Sequence, residues 1–368
     1  MRIDDLLMTM VQQGASDGFL TVNAPPTIKV EGRFKPLDYP PLGEDELTRL
    51  IQSTMTSKQR DQYLSERECN YAIDHAELGR FRANAYVQRG VPGMVVRYIK
   101  SDVPHFSDLG LPPVIEQLSM IQRGLVLFVG ATGTGKSTSL ASMIDHRNRN
   151  SSGHIVTVED PIEYIHSHQG CLVTQREVGL DTESYEVALK NALRQAPDVV
   201  MVGEIRTQET MLAALQFAET GHLCLATLHA SNANQAFDRI ISFFEPKQHS
   251  QVLLDLALNL KAIIAQQLVP KLAADSRIPI VEVLLASPLI QDLIRKGELL
   301  EIKEIMERSA ELGMQTFDQA LFEAYKQRLI SEEDALRFSD ASNNVRLLIK
   351  QYKRGGRDER HDQQFSLG

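Results

Sequence analysis

Gly130-Ala131-Thr132-Gly133-Thr134-Gly135-Lys136-Ser137 is the stretch that decides the fold class of this chain. The octet fits G-x-x-x-x-G-K-[ST] without a gap. Its glycines let the backbone bend until successive N–H groups point inward at phosphate oxygens. Lys136 brings a point charge to β- and γ-phosphates, and the Ser137 hydroxyl is placed to ligate magnesium. Thr138 continues into a helix whose positive N-terminal end adds to the anion site. Context supports the motif: an apolar strand is expected over 125–129 and a helix over 137–147.

Outward from the loop, strand and helix patterns alternate. Strands are expected over 155–158, 199–202 and 223–228, with helices over 185–195 and 210–218. Strands separated by helices predict a parallel, doubly wound α/β sheet, whose ligand lies at the strand C-terminal ends. Two acidic stretches sit at such ends. Glu204 follows the strand over 199–202, and Glu159-Asp160-Pro161-Ile162-Glu163 follows the strand over 155–158. Either could align water or magnesium at a γ-phosphate. Gly203 stands where many such ATPases carry a magnesium-holding aspartate, while Asp198 lies at the wrong end of the strand and reads as a turn residue or cap. His222 and His229 bracket the strand over 223–228, so the two cannot both touch one nucleotide.

The first hundred residues read differently. Helical spacing over 3–11 ends at Gly14, short β-type segments follow, a helix is expected over 45–65, and strand-like runs occupy 70–74, 80–88 and 94–99. This predicts a small α+β domain over 1–100, a proline-rich linker over 101–113 and an ATPase core over 114–288. A helical region is expected over 289–352 and a polar, frayed tail over 353–368. Arg80, Arg82, Arg89 and Arg97 lie on or beside the last strands of the first domain, and spacing does not select among them.

The 368 residues carry a net charge of −9, which gives no general attraction to nucleic acid, and no direct nucleic-acid partner is expected. No apolar stretch reaches the roughly 20 residues of a membrane span. The start lacks the pattern of a secretory signal. Cys69, Cys171 and Cys224 form no paired motif, so neither a zinc site nor a disulfide framework is expected.

Taken together, these residues resemble the secretion ATPase superfamily, in its type IV pilus retraction (twitching motility) branch. The resemblance spans nearly the whole chain. It rests on Gly14-Ala15-Ser16-Asp17, the phosphate loop, the acidic box ending at Glu163, and Ala192-Leu193-Arg194-Gln195-Ala196-Pro197-Asp198. Val202-Gly203-Glu204-Ile205-Arg206, the histidine box from Ala218 to His229, and Leu312-Gly313-Met314-Gln315-Thr316 complete it.

The resemblance implies a PAS-like first domain, a RecA-like second domain, and a cytoplasmic homohexameric ring that uses ATP and magnesium at the inner-membrane base of the pilus machine. It implies a Walker B role for Glu204, a catalytic role for Glu163, and nucleotide contacts from Glu159, His222 and His229. It selects Arg82 and Arg97 as the γ-phosphate arginines. The implied partners are other copies of the chain, a paralogous retraction ATPase and an inner-membrane pilus platform protein. The family's Ala-Ile-Arg-Asn-Leu-Ile helix is here Leu289-Ile290-Gln291-Asp292-Leu293-Ile294, and Gly18-Phe19 replaces Leu-His. These departures point to the accessory paralogue of the branch. A ring ATPase for pilus assembly, secretion or DNA translocation is the competing reading. A degenerate, inactive subunit is disfavoured because Lys136, Ser137 and Glu204 are all present.

Overall fold

The computed structural model describes residues 1–273 and 276–365. The chain divides into two compact units: 1–103 with 161–166 and 176–184, and 104–160 with 167–175 and 185–368. Two later excursions thus group with the N-terminal unit, where the sequence suggests one contiguous first domain.

The first unit is built on a six-stranded sheet of β1 (Asp17–Thr21), β2 (Thr27–Val30), β3 (Arg33–Pro36), β4 (Glu68–His75), β5 (Gly79–Gln88) and β6 (Val91–Ile99). The order is β3-β2-β1-β6-β5-β4, and the paired strands run antiparallel. Period-2 alternation puts Phe81, Ala83 and Ala85 of β5 in the core, and Arg80, Arg82 and Asn84 on the opposite face. Helices Ile3–Gln12 and Glu44–Ser53 cover the apolar face with Leu6, Leu7, Met10, Leu47, Leu50 and Ile51. The single helix expected over 45–65 is two. The first ends at Ser53, and Thr56 caps a second, Ser57–Glu66, by a reciprocal capping box with Gln59.

The second unit holds a seven-stranded sheet: β7 (Gly124–Val129), β8 (Gly153–Glu159), β9 (Cys171–Glu177), β10 (Val199–Val202), β11 (Leu223–Leu228), β12 (Leu260–Pro270) and β13 (Arg277–Leu285). Its order is β13-β12-β7-β11-β10-β8-β9, with β12, β7, β11, β10 and β8 parallel and β13 antiparallel to β12. Every residue of β7, β10 and β11 is buried, which is why these strands read as unbroken apolar runs. Each fully buried Val, Leu or Phe there contributes roughly 1.5–3 kcal/mol, enough to outweigh local propensity. β9 and β12 were not expected. Beyond β13 the helices Pro288–Lys296, Ile302–Arg308, Phe317–Lys326, Glu332–Arg337 and Ser342–Phe365 follow. The stretch from 353, expected to fray, is helical as far as Phe365, and 366–368 lie outside the described residues. Among the described residues no helix is long and apolar enough to cross a membrane.

Candidate active site

The phosphate loop leaves the C-terminal end of β7 and enters the helix Lys136–Asn150. A side chain at Gly130 has no room: its Cβ would lie 2.6 Å from the Gln266 carbonyl oxygen, at φ +154°. Lys136 is buried, and its Nζ donates to the Gly130 and Ala131 carbonyls at 2.8 Å each. The ammonium is thereby held within the loop's own curve. Gln266 of β12 braces the loop from beneath. Its Nε2 donates to the Thr134 carbonyl at 2.9 Å, and its Oε1 accepts from Ser139 Oγ at 2.8 Å. This amide is 2% exposed and was invisible in the sequence, because β12 itself was not expected. The loop segment 131–133 is exposed, and Ser137 sits in the first turn of the helix, half-buried. A helix N-terminus leaves its first N–H groups without intrahelical partners. Glycine loop, buried lysine, helix end and serine together suit a nucleotide polyphosphate with its magnesium.

Glu204 follows β10, at the strand end where the sequence places it. Its carboxylate is paired on both oxygens, Oε2 with Arg206 Nη2 at 2.7 Å and Oε1 with His229 Nε2 at 3.0 Å. Arg206 is a neighbour that sequence reasoning did not assign. His229 therefore belongs to the Glu204 end of β11. His222 does not. It lies at the opposite end, roughly 17 Å of strand away, where its Nδ1 faces the Thr220 hydroxyl at 3.0 Å and the Phe217 carbonyl at 3.1 Å. Within this unit its hydrogen-bond partners are those two groups, at the start of β11.

Glu159 is buried at the end of β8, and its Oε1 accepts from Thr157 Oγ1 at 2.7 Å and Gln175 Nε2 at 3.2 Å. It adjoins Gly203, whose N–H donates to the Val158 carbonyl at 2.7 Å. A Cβ at 203 would meet the Tyr185 hydroxyl at 2.9 Å, and Glu159 Cα and Val158 O at 3.1 Å. An aspartate cannot occupy that position unless its surroundings move. Tyr185 was not singled out in the sequence. Burial, joined by the charges of Asp160, Glu204 and Glu159, pushes its phenol pKa well above the ordinary value and keeps it protonated. Asp198 takes the bland role expected of it, its Oδ2 accepting from His154 N–H at 2.7 Å.

The remaining candidates fall in the first unit. Glu163 is exposed in the excursion 161–166. Arg82 of β5 and Arg97 of β6 are direct cross-strand partners, a relation that spacing alone could not reveal. Two like charges in that register repel unless each is neutralised. Asp17 of β1 accepts from Arg97 Nε at 2.8 Å, and Glu177 faces Arg82 Nη1 at 3.5 Å. Among the described residues no cluster of three or more His, Cys, Asp or Glu side chains could hold a metal ion.

Residues 92–311 match the family model described as type II/IV secretion system protein. The type IV pilus ATPase PilU of Pseudomonas aeruginosa is 57% identical over 350 residues, covering 95% of this chain and 92% of that protein. The type IV pilus retraction ATPase PilT of the same organism is 39% identical over 335 residues, covering 91% of this chain and 97% of that protein. A crystal structure of the pilus retraction motor PilT with bound ADP superposes with a TM-score of 0.88 at 39% identity, over 94% of this chain and 98% of that one. With the phosphate loop and Glu204 in place, the chain belongs to the type II/IV secretion system protein family, as an ATPase of the PilT/PilU type.

Proposed function

We propose that this chain is a subunit of a homohexameric ring that hydrolyses ATP to drive type IV pilus retraction, as an accessory to the principal retraction ATPase. The observation that carries the chemistry is Glu204, held between His229 and Arg206 after β10, at the C-terminal edge of the parallel strands that the intact phosphate loop also leaves, from β7. Likeness to PilU and PilT over more than nine-tenths of the chain supports the pilus assignment.

In this reading, backbone N–H groups of 130–138 and Lys136 bind and orient the polyphosphate. Ser137 would hold magnesium, which when bound supplies charge neutralisation between the phosphates. Water attacks the γ-phosphorus and the bond to the ADP oxygen breaks. Glu163 takes the water's proton, Glu204 orients the attacking water, and Arg82 and Arg97 neutralise charge on the transferred group. Glu159 supports the acidic box, and His229 reports on the Glu204 side. A platform protein at the cytoplasmic side of the inner membrane and the paralogous ATPase are the partners this role requires.

The test is a strain expressing this ATPase with and without its paralogue, scored for retraction of labelled pili. Retraction is expected to be rare with this protein alone and restored by the paralogue, even when the paralogue is catalytically dead. Frequent retraction with this protein alone refutes the accessory role, and loss of retraction with a dead paralogue refutes independent hydrolysis by this chain.

A further inference from the structure

Glu177 at the end of β9 is a buried carboxylate that the reaction scheme above does not use. It is 1% exposed. Its Oε2 accepts from the Ile162 N–H at 3.2 Å, the residue before Glu163. Its Oε1 faces Arg82 Nη1 at 3.5 Å and has no hydrogen-bond partner. Asp181 holds Glu177 in turn, by accepting from its backbone N–H at 2.9 Å. All of these residues lie in the first unit.

A carboxylate removed from water costs several kcal/mol unless paired, and burial does push the Glu177 pKa up, against the pull of the Ile162 N–H, Arg82 and Arg80. Hydrophobic residues would fill the same space more cheaply, so the position is not explained by packing. Its two oxygens address two different parts of the proposed machinery. One reaches the strand-end segment that presents Glu163, and the other the arginine whose cross-strand neighbour is Arg97. The 3.5 Å pairing is longer than a hydrogen bond. It fixes the direction of the guanidinium by charge while leaving its N–H donors free for another anion.

We propose that Glu177 is a positioning residue for ATP hydrolysis, setting Arg82 and the Glu163 segment in fixed relation through one buried carboxylate. The inference rests on the roles given above to Arg82 and Glu163. Glu177 touches neither nucleotide nor water, and acts through both residues.

The experiment compares Glu177→Gln, Arg82→Ala and the double variant in the full-length protein, measuring kcat and KM for ATP, ADP affinity and the urea midpoint. Glu177→Gln retains an acceptor for Ile162 N–H but loses the charge that orients Arg82. Its kcat should fall about tenfold, since small misplacements of a positioned group have effects of that order or larger. KM for ATP and ADP affinity should stay within about twofold. The double variant should be no slower than Arg82→Ala. Additive losses, or unchanged kcat in Glu177→Gln, overturn the inference while leaving the role of Arg82 intact. Unchanged kcat in Arg82→Ala overturns that role and the inference with it. Stability gives a readout that survives poor yield of the single Gln variant. Arg82→Ala strands a buried charge and should lower the urea midpoint, and adding Glu177→Gln should restore it. Absence of that restoration overturns the pairing.

Discussion

Replacing Gly203 by alanine tests why this site lacks the aspartate that many phosphate-loop ATPases carry beside their glutamate. The added methyl would lie 2.9 Å from the Tyr185 hydroxyl and 3.1 Å from two backbone atoms, Glu159 Cα and Val158 O. A hydroxyl can swing away, but the strand end of β8 is tied by the Gly203 N–H to the Val158 carbonyl at 2.7 Å. Overpacking of this kind costs about 1–3 kcal/mol. For a unit of this size the melting midpoint should fall by roughly 2–10 °C. Because the strain falls between Glu159 and Glu204, kcat should drop more than nucleotide affinity. Adding Tyr185→Phe should recover part of the midpoint by removing the closest contact, and the backbone contacts should keep the rest lost. Gly203→Asp should be worse than alanine, since its carboxylate arrives beside Glu159 and Glu204. Calorimetry with steady-state kinetics decides the matter. A Gly203→Ala protein that melts and turns over like wild type refutes the steric account.

Other consequences are sharper in direction than in size. Lys136→Ala should abolish hydrolysis and weaken ATP and ADP binding, whereas Glu204→Gln should stop turnover with binding nearly intact; titration of both variants with labelled nucleotide distinguishes the roles. Gln266→Ala removes both braces of the phosphate loop and should raise KM for ATP several-fold, with a loss of about 1–3 kcal/mol from unpaired buried groups, read by denaturant melts. Burial raises Glu282 to about 7, against the Ala233 N–H that it accepts at 2.7 Å. Its folded pKa lies above its unfolded value, so the stability it contributes is present below about pH 4.5 and is lost as pH rises through about 7. The loss is about 3 kcal/mol, and Glu282→Gln should flatten the pH dependence of the urea midpoint between about pH 5 and 8.

The parts of this fold that could be read from sequence are those where one physical signal dominates. β7, β10 and β11 are buried on both faces, so their apolar runs were unambiguous, and the phosphate loop is dictated by backbone chemistry at fixed spacing. β12 escaped because the helix His249–Asn259 passes directly into it, with neither glycine nor proline anywhere over 249–269 to mark the change. Gln266 was lost with it. β9 is an edge strand whose polar Thr174, Gln175 and Arg176 interrupt any period, and Glu177 was lost with that strand. The break between the helices ending at Ser53 and starting at Ser57 has a local signature, the Thr56–Gln59 capping box. Cross-strand register is of another kind. That Arg82 faces Arg97 follows from the hairpin pairing of β5 with β6, which no local pattern encodes.

The helix Pro288–Lys296 shows how a charge comparison made on sequence changes when the side chains are placed. Gln291-Asp292 in place of Arg-Asn suggests a surface that has lost a cation and gained a carboxylate. Asp292, however, is bracketed by Lys296 at 2.7 Å and Arg295 at 2.5 Å, one helical turn onward. Lys296 first, then Arg295, hold its carboxyl below the ordinary range, so it is ionised at neutral pH and its charge is offset within its own helix. The carboxylate is therefore spent on the helix's own C-terminal cations, which also face the negative end of the helix dipole. What a partner meets is a helix without the arginine, with Leu289 half-exposed and Arg295 and Lys296 tethered, rather than a newly acidic face. If this helix touches the pilus platform, its difference from the principal motor lies in a missing anchor for an acidic partner and not in repulsion. Weak coupling follows more naturally from that than active exclusion, which agrees with an accessory subunit that works beside another motor.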